Sequence, residues 1–207
     1  MVPLFISDPQ HKTFLADVAD MVRKIVLKTR KGTLVLFTSY KLLNGVYDYL
    51  FEPFHQSGIT LLAQGRSGSR FTISREFQEI ENSVLLGTYS FWEGFDVPGT
   101  ALENLIITKL PFPAPNEPIV EARGEFLESK GMSPFNHLFV PEAIIRLRQG
   151  FGRLIRSKED RGIIIILDRR IIQRNYGKRF LLSLPSNVNA SYYEEDFFET
   201  IDAFWKT

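Results

Sequence analysis

Short apolar runs alternate with amphipathic segments along most of this chain. Runs rich in aliphatic and β-branched residues recur at 33–38, 59–63, 83–87, 105–108 and 162–167. They are apolar almost throughout, the pattern of strands covered on both faces. Between them, apolar positions return at three- and four-residue spacing. This predicts helices near 13–29, 41–51, 71–80, 117–130 and 141–156. Strand–helix alternation with continuously apolar strands predicts a parallel sheet with helices on both faces. The tail over 192–205 carries Phe197, Phe198, Ile201, Phe204 and Trp205 at helical spacing. That pattern predicts a helix docked on the sheet rather than a free partner-binding motif. The stretch 131–136 reads as a connection between helices, not a domain boundary.

Composition narrows the classes. Hydrophobic residues are 44% and charged residues 24% of the chain, which excludes a disordered or collagen-like protein. The 25 Lys+Arg against 24 Asp+Glu exclude a strongly basic nucleic-acid binder but leave room for a local basic groove. There is no cysteine, so disulfides, thiolate metal sites, a cysteine nucleophile and a self-contained iron–sulfur cluster are excluded. The three histidines, His11, His55 and His137, are scattered, and no histidine metal site is expected. No apolar run is long enough to span a membrane, and the start lacks the basic region of a secretory signal. The expected location is the cytoplasm.

In parallel α/β sheets, ligands sit beyond the C-terminal ends of the strands. The helix ending in Gln149-Gly-Phe-Gly-Arg-Leu-Ile-Arg156 carries Ile144, Leu147, Phe151, Leu154 and Ile155 on one stripe. Gln149, Arg153 and Arg156 fall at i, i+4 and i+7 on the opposite face. Two guanidiniums and an amide pointing one way suit a polyanion such as a triphosphate, because each guanidinium is a permanently charged fork of donors. The blander reading is a solvated helix face. Gly150 and Gly152 each cost a helix about 1 kcal/mol relative to alanine, which points to a close backbone approach.

A second stretch, Gly87-Thr-Tyr-Ser-Phe-Trp-Glu-Gly-Phe-Asp-Val-Pro-Gly99, follows a buried strand. Glu93 and Asp96 place carboxylates where a ribose or a partner arginine fits, and Gly94 permits an unusual backbone angle. Thr88 and Ser90 are candidate phosphate donors. Alternatively this is a polar crossover with Trp92 and Phe95 plugging the core. A third strand end, Phe37-Thr-Ser-Tyr40, offers Thr38 and Ser39 as helix caps and as phosphate donors at a helix N-terminus. No Walker A pattern, G-x-x-x-x-G-K-[ST], occurs anywhere. Residues 65–69 read as a surface turn. Asp168 imitates a Walker B carboxylate, but with Arg169 and Arg170 beside it an ion pair or a helix cap is expected instead of a metal ligand.

Taken in order, Phe37-Thr-Ser-Tyr40, Trp92-Glu-Gly-Phe-Asp96 and Gln149-x-x-Gly-Arg-x-Ile-Arg156 resemble motifs IV, V and VI of superfamily 2 helicases. Three further stretches are similar to the DinG branch of the DinG/XPD family. They are Lys109-Leu-Pro-Phe-Pro-Ala-Pro-Asn-Glu-Pro118, Arg161-Gly-Ile-Ile-Ile-Ile-Leu-Asp-Arg-Arg170, and Tyr176-Gly-Lys-Arg179 with Leu184-Pro185. The resemblance covers about residues 30 to 186. It implies an α/β fold: a RecA-like (P-loop NTPase-type) three-layer α/β/α domain with a mainly parallel sheet and no Walker A of its own. The whole of 1–207 would be the second lobe of a two-lobed motor. An N-terminal helix at about 9–29 and a C-terminal helix at about 192–205 would pack on it. A start at Met1 without the first lobe favours an excised fragment.

The resemblance also implies roles. ATP and Mg2+ would be held mainly by the missing N-terminal lobe, and no iron–sulfur cluster would sit in this chain. Arg153 and Arg156 would be arginine fingers, with Gln149 contacting the γ-phosphate or the attacking water. Glu93, Gly94, Asp96 and Gly152 would line the nucleotide side, and Thr38, Ser39 and Thr88 would touch the DNA backbone. No metal ligand is expected. The partners would be the N-terminal RecA-like lobe and single-stranded DNA, with no membrane, and the chain would be monomeric. Alone it would hydrolyse little or no ATP. The alternative is a non-catalytic single-stranded nucleic-acid-binding or adaptor module with relic motifs.

Overall fold

The computed structural model describes residues 1–92, 101–154, 161–185 and 188–206. In chain order the elements are β1 (Val2–Pro3), α1 (Phe14–Thr29), β2 (Thr33–Leu36), α2 (Tyr40–Gln56), β3 (Leu61–Ala63) and α3 (Arg70–Glu79). Then come β4 (Val84–Gly87), α4 (Tyr89–Trp92), β5 (Asn104–Ile107), α5 (Pro118–Ser129) and a π-helical turn over Phe135–Phe139. That turn runs directly into α6 (Val140–Leu154), followed by β6 (Ile163–Ile166), α7 (Arg170–Gln173), α8 (Gly177–Ser183), β7 (Ala190–Ser191) and α9 (Glu194–Lys206).

Strands β2 to β6 form one parallel sheet in the order β3-β4-β2-β5-β6. Leu36 lies opposite both Gly87 and Ile107, and Ile107 lies opposite Ile166. All the C-terminal strand ends therefore reach one edge. The β6 side is extended by backbone alone: the Met1 amine donates to the Ile164 carbonyl at 2.6 Å, and the Ile166 N–H donates to the Met1 carbonyl at 2.9 Å. Val2 and Pro3 then pair with Ala190 and Ser191 of β7.

Period-two alternation divides the strands between two cores. Val35, Phe37, Leu86, Ile106 and Ile165 face α1, α2 and α9, where Val22, Leu43, Phe54, Phe197 and Ile201 are buried. Leu34, Leu36, Leu85, Ile107 and Ile166 face α3, α4, α6 and α8, where Phe77, Phe91, Leu147 and Phe180 are buried. This is the three-layer α/β/α architecture expected from the apolar runs. The tail helix docks through Phe197 and Ile201 as its spacing predicts.

Some boundaries differ for local reasons. The first helix starts at Phe14 rather than near residue 9, because 9–13 is turned back on itself. The Gln10 N–H donates to Asp8, the His11 N–H to the Asp8 carbonyl, and the Phe14 N–H to the His11 carbonyl. Helix α2 continues past 51 and through Pro53 to Gln56, because Val46, Leu50 and Phe54 keep one buried stripe to its end. Most strand runs lose one or two terminal residues to the turns. The 131–136 connection passes into the π-helical turn instead of ending before it.

Candidate functional site at the strand ends

The β2 end leads into the motif IV residues. The Phe37 N–H still donates to the Gly87 carbonyl, and beyond it Thr38 and Ser39 are exposed. Ser39 is extended and caps α2, its Oγ accepting from the Leu42 N–H at 3.4 Å. On the neighbouring strand, Gly87 passes straight into α4, and a Cβ there would lie 2.6 Å from the Phe91 ring.

Trp92, the last residue of α4, joins the three motifs. Its indole N–H donates to the Phe37 carbonyl at 3.3 Å. Its own carbonyl accepts from Arg153 Nε at 3.2 Å, and its ring packs on Gly150 of α6. Of the alternative reading, in which Trp92 and Phe95 plug the core, the Trp92 part is seen, since Trp92 is 2% exposed, while Phe95 lies outside the described residues. The structure adds that this plug also positions a motif VI arginine. Gln149 lies exposed on α6, one turn before the half-buried Arg153. The other expected residues, Glu93, Gly94, Asp96 and Arg156, lie outside the described residues.

The two α6 glycines separate cleanly. A Cβ on Gly150 would stand 2.9 Å from the Trp92 ring, whereas one on Gly152 would meet nothing within 4 Å among the described residues. Close approach therefore explains Gly150 and not Gly152. Gly150→Ala is expected to destabilise the chain by about 1–3 kcal/mol through overpacking against Trp92. Gly152→Ala is expected to stabilise it by up to about 1 kcal/mol through helix propensity alone. Urea unfolding of both variants tests this pair, and a stability loss at Gly152 would reveal a constraint that packing does not supply.

Thr88, expected at the DNA backbone, is buried at 5% exposure, and both of its donors go to one acceptor. Its N–H and its hydroxyl each donate to Gln64 Oε1 at 2.8 Å. Gln64 follows β3, and its Nε2 donates to Tyr40 Oη at 2.7 Å and to Ser90 Oγ at 2.9 Å. The side chain of residue 64 thus links the residues opening α2 to those opening α4. Gln64 is not among the expected site residues. The available signal was a polar amide ending an apolar strand immediately before a glycine.

At the far side of the rim, Asp168 is fully buried. Its carboxylate accepts from Arg170 Nε at 2.8 Å and Nη2 at 2.6 Å, and from the Leu110 N–H at 2.9 Å. The expected ion pair is present. Lys109 sits nearby over the Phe14 ring, and burial, then the charge of Arg170, push its pKa down. The 65–69 segment is a surface turn as expected, with Ser69 capping α3.

Comparison with known proteins agrees with this geometry. A family model described as "Helicase C-terminal domain" matches residues 22–187. The chain is 41% identical over 186 residues to the ATP-dependent DNA helicase YoaA of Haemophilus influenzae, covering 90% of this chain and 28% of that protein. It is 42% identical over 182 residues to the 3'-5' exonuclease DinG of Bacillus subtilis, covering 87% of this chain and 20% of that protein. Between a fifth and a third of these relatives' length is thus represented here. A solved XPD helicase shares the fold at a TM-score of 0.67 and 20% identity, over 92% of this chain and 35% of that one. The chain belongs to the helicase C-terminal domain family, as a RecA-like second lobe of the DinG/XPD kind.

Proposed function

We propose that this chain is the C-terminal motor lobe of an ATP-dependent, DinG-like DNA helicase. It supplies arginines to ATP held on an N-terminal lobe, and contacts to single-stranded DNA. The observation that carries the reading is the Arg153–Trp92 bond, which fixes a motif VI arginine to the first residue of motif V at the sheet edge. Arg153 and Arg156 act as arginine fingers, and Gln149 contacts the γ-phosphate or its water. Glu93, Gly94, Asp96 and Gly152 serve the nucleotide side in this reading. Thr38 and Ser39 face the strand backbone. Thr88, with its hydroxyl proton engaged by Gln64, serves the strand by holding the rim in place.

The described residues do not fit a complete nucleotide site. There is no Walker A sequence, and Asp168 is saturated by Arg170 and Leu110, so it does not fit as a magnesium ligand. What fits is a cationic contribution from outside. Phosphoryl transfer is catalysed chiefly by positioning and charge neutralisation, to which an arginine supplied in trans contributes about 10³–10⁵ in rate. Placing that arginine on a separate lobe makes hydrolysis depend on cleft closure. Closure then ties nucleotide state to movement along one strand.

DNA-stimulated ATPase activity tests the reading, comparing this chain alone with this chain joined to a Walker A-bearing DinG-type lobe. The chain alone is expected to stay at background, and the joined form to turn over with stimulation by single-stranded DNA. Turnover by the chain alone that survives Arg153→Ala would sink the proposal. A folded joined form that binds ATP and DNA but never hydrolyses would favour a binding module with relic motifs.

A further inference from the structure

We propose that Gln64 holds the hydroxyls of Tyr40 and Ser90 as a donor pair for a phosphodiester oxygen of single-stranded nucleic acid. The proposal rests on the strand-binding reading above and names residues for it.

The orientation of the Gln64 amide is fixed by its surroundings. The Thr88 backbone N–H can only donate, so the amide atom 2.8 Å from it is oxygen. The other amide atom is then the NH2 group, and its two hydrogens go to Tyr40 Oη and Ser90 Oγ at 2.7 and 2.9 Å. A hydroxyl oxygen that accepts from an amide keeps its own proton for another acceptor. Among the described residues nothing takes either proton. Thr88 is in the opposite state, because its hydroxyl donates inward to Oε1. One carboxamide therefore sorts three hydroxyls: Thr88 is closed, while Tyr40 and Ser90 are left as donors.

Those two donors share one nitrogen, which keeps them within reach of a single phosphate group. Tyr40 opens α2 and is 50% exposed, and Ser90 is half-buried in α4. Beside them Arg146 stacks over Tyr89, adding positive charge next to Ser90. Two hydroxyl donors with a cation nearby match an acceptor-only, anionic group. Most protein contacts to nucleic acid go to phosphate and sugar, through side chains of this kind. The pair lies where β3 and β4 end, next to the exposed Thr38 and Ser39.

The test is binding of fluorescein-labelled oligo(dT) to this chain by anisotropy at low salt, with thermal unfolding of every variant. The titration extends to on the order of 100 µM chain, the weak end of non-specific binding. In Gln64→Glu the carboxylate still accepts from Thr88, but it also draws the Tyr40 and Ser90 protons inward. Its unfolding midpoint is expected to stay near wild type, while its DNA affinity falls about tenfold or more. Tyr40→Phe and Ser90→Ala remove the donors without adding charge and are expected to weaken binding by about three- to tenfold each. Folded Gln64→Glu or the folded Tyr40→Phe/Ser90→Ala double variant binding like wild type would overturn the assignment. Should Gln64→Glu not fold, the double variant decides. An ATP·Mg competitor separates the two sources of phosphate. Displacement by ATP that is lost in the double variant would give the pair to the nucleotide and overturn the strand assignment. No binding by wild type would overturn the strand-binding reading itself, and the proposal with it.

Discussion

In the two-lobed protein, Arg153→Ala is expected to slow ATP hydrolysis by about 10³–10⁵-fold, the span attributed to an arginine supplied from outside the phosphate cradle. ATP affinity should stay close to wild type. The reasoning starts from how the side chain is held. Arg153 lies in the last turn of α6, and its Nε–H is tied to the carbonyl of Trp92. That carbonyl is itself fixed, because the indole of the same residue is bonded to Phe37 and packed on Gly150. The Nε side of the guanidinium is therefore anchored at the sheet edge. Such preorganisation matters most when charge develops on the transferred phosphoryl group. Binding of the ground-state nucleotide is left to the other lobe. Arg153→Lys is expected to recover little, since an ammonium has neither the Nε–H that bonds Trp92 nor a planar fork. Single-turnover hydrolysis measured beside equilibrium binding of a fluorescent ATP analogue separates the two effects. Equal loss of rate and affinity would mean that Arg153 binds nucleotide without a finger role.

What was legible in the sequence follows from how local each feature is. The central strands announce themselves because Leu34, Val35, Leu85, Leu86, Leu105 and Ile106 are covered on both faces, which keeps the middle of each run apolar. Helix α6 is equally plain, with Leu147, Phe151 and Leu154 buried along one stripe. By contrast β1 and β7 have two residues each, and they exist only because Val2 meets Ala190 across nearly the whole chain. Helices α7 and α8 are too short for periodicity to carry, although Ile171 and Phe180 anchor them in the core. The site divides the same way. Arg153 and Gln149 are visible because helical spacing puts them on one face. Gln64 is not, because nothing along the chain relates residue 64 to 40, 88 and 90. Only the sheet order β3-β4-β2 brings those strand ends together.

The second large effect is on stability, at Asp168. Asp168→Ala is expected to cost about 3–5 kcal/mol, the range for stranding one partner of a buried ion pair. For a chain of this size that is a fall of about 6–20 °C in the unfolding midpoint. The carboxylate is fully buried, while Arg170 is 20% exposed. Burial alone works to lower the pKa of Arg170, but the hydrogen bonds and charge of Asp168 outweigh it and raise the value. Without the carboxylate, the guanidinium is left half-buried and unmatched, and the Leu110 N–H loses its acceptor. The damage spreads beyond the pair. Leu110 begins the turn that carries Phe112, whose ring contacts Phe135, Tyr176 and Phe180 and lies under Arg170. One carboxylate at the end of β6 thereby fixes the loop after β5 and the aromatic cluster beside it. Asp168→Asn is expected to recover only part of the loss, because an amide nitrogen cannot accept from Leu110 or from Arg170. Adding Arg170→Met to Asp168→Ala should restore part of the stability, since it removes the stranded charge but leaves the Leu110 N–H without its acceptor. Thermal unfolding with and without magnesium distinguishes this from a metal-ligand role. A loss of midpoint that is the same in both conditions fits the ion pair, whereas an unchanged midpoint with lost magnesium dependence of turnover in the joined protein would restore the Walker B-like reading.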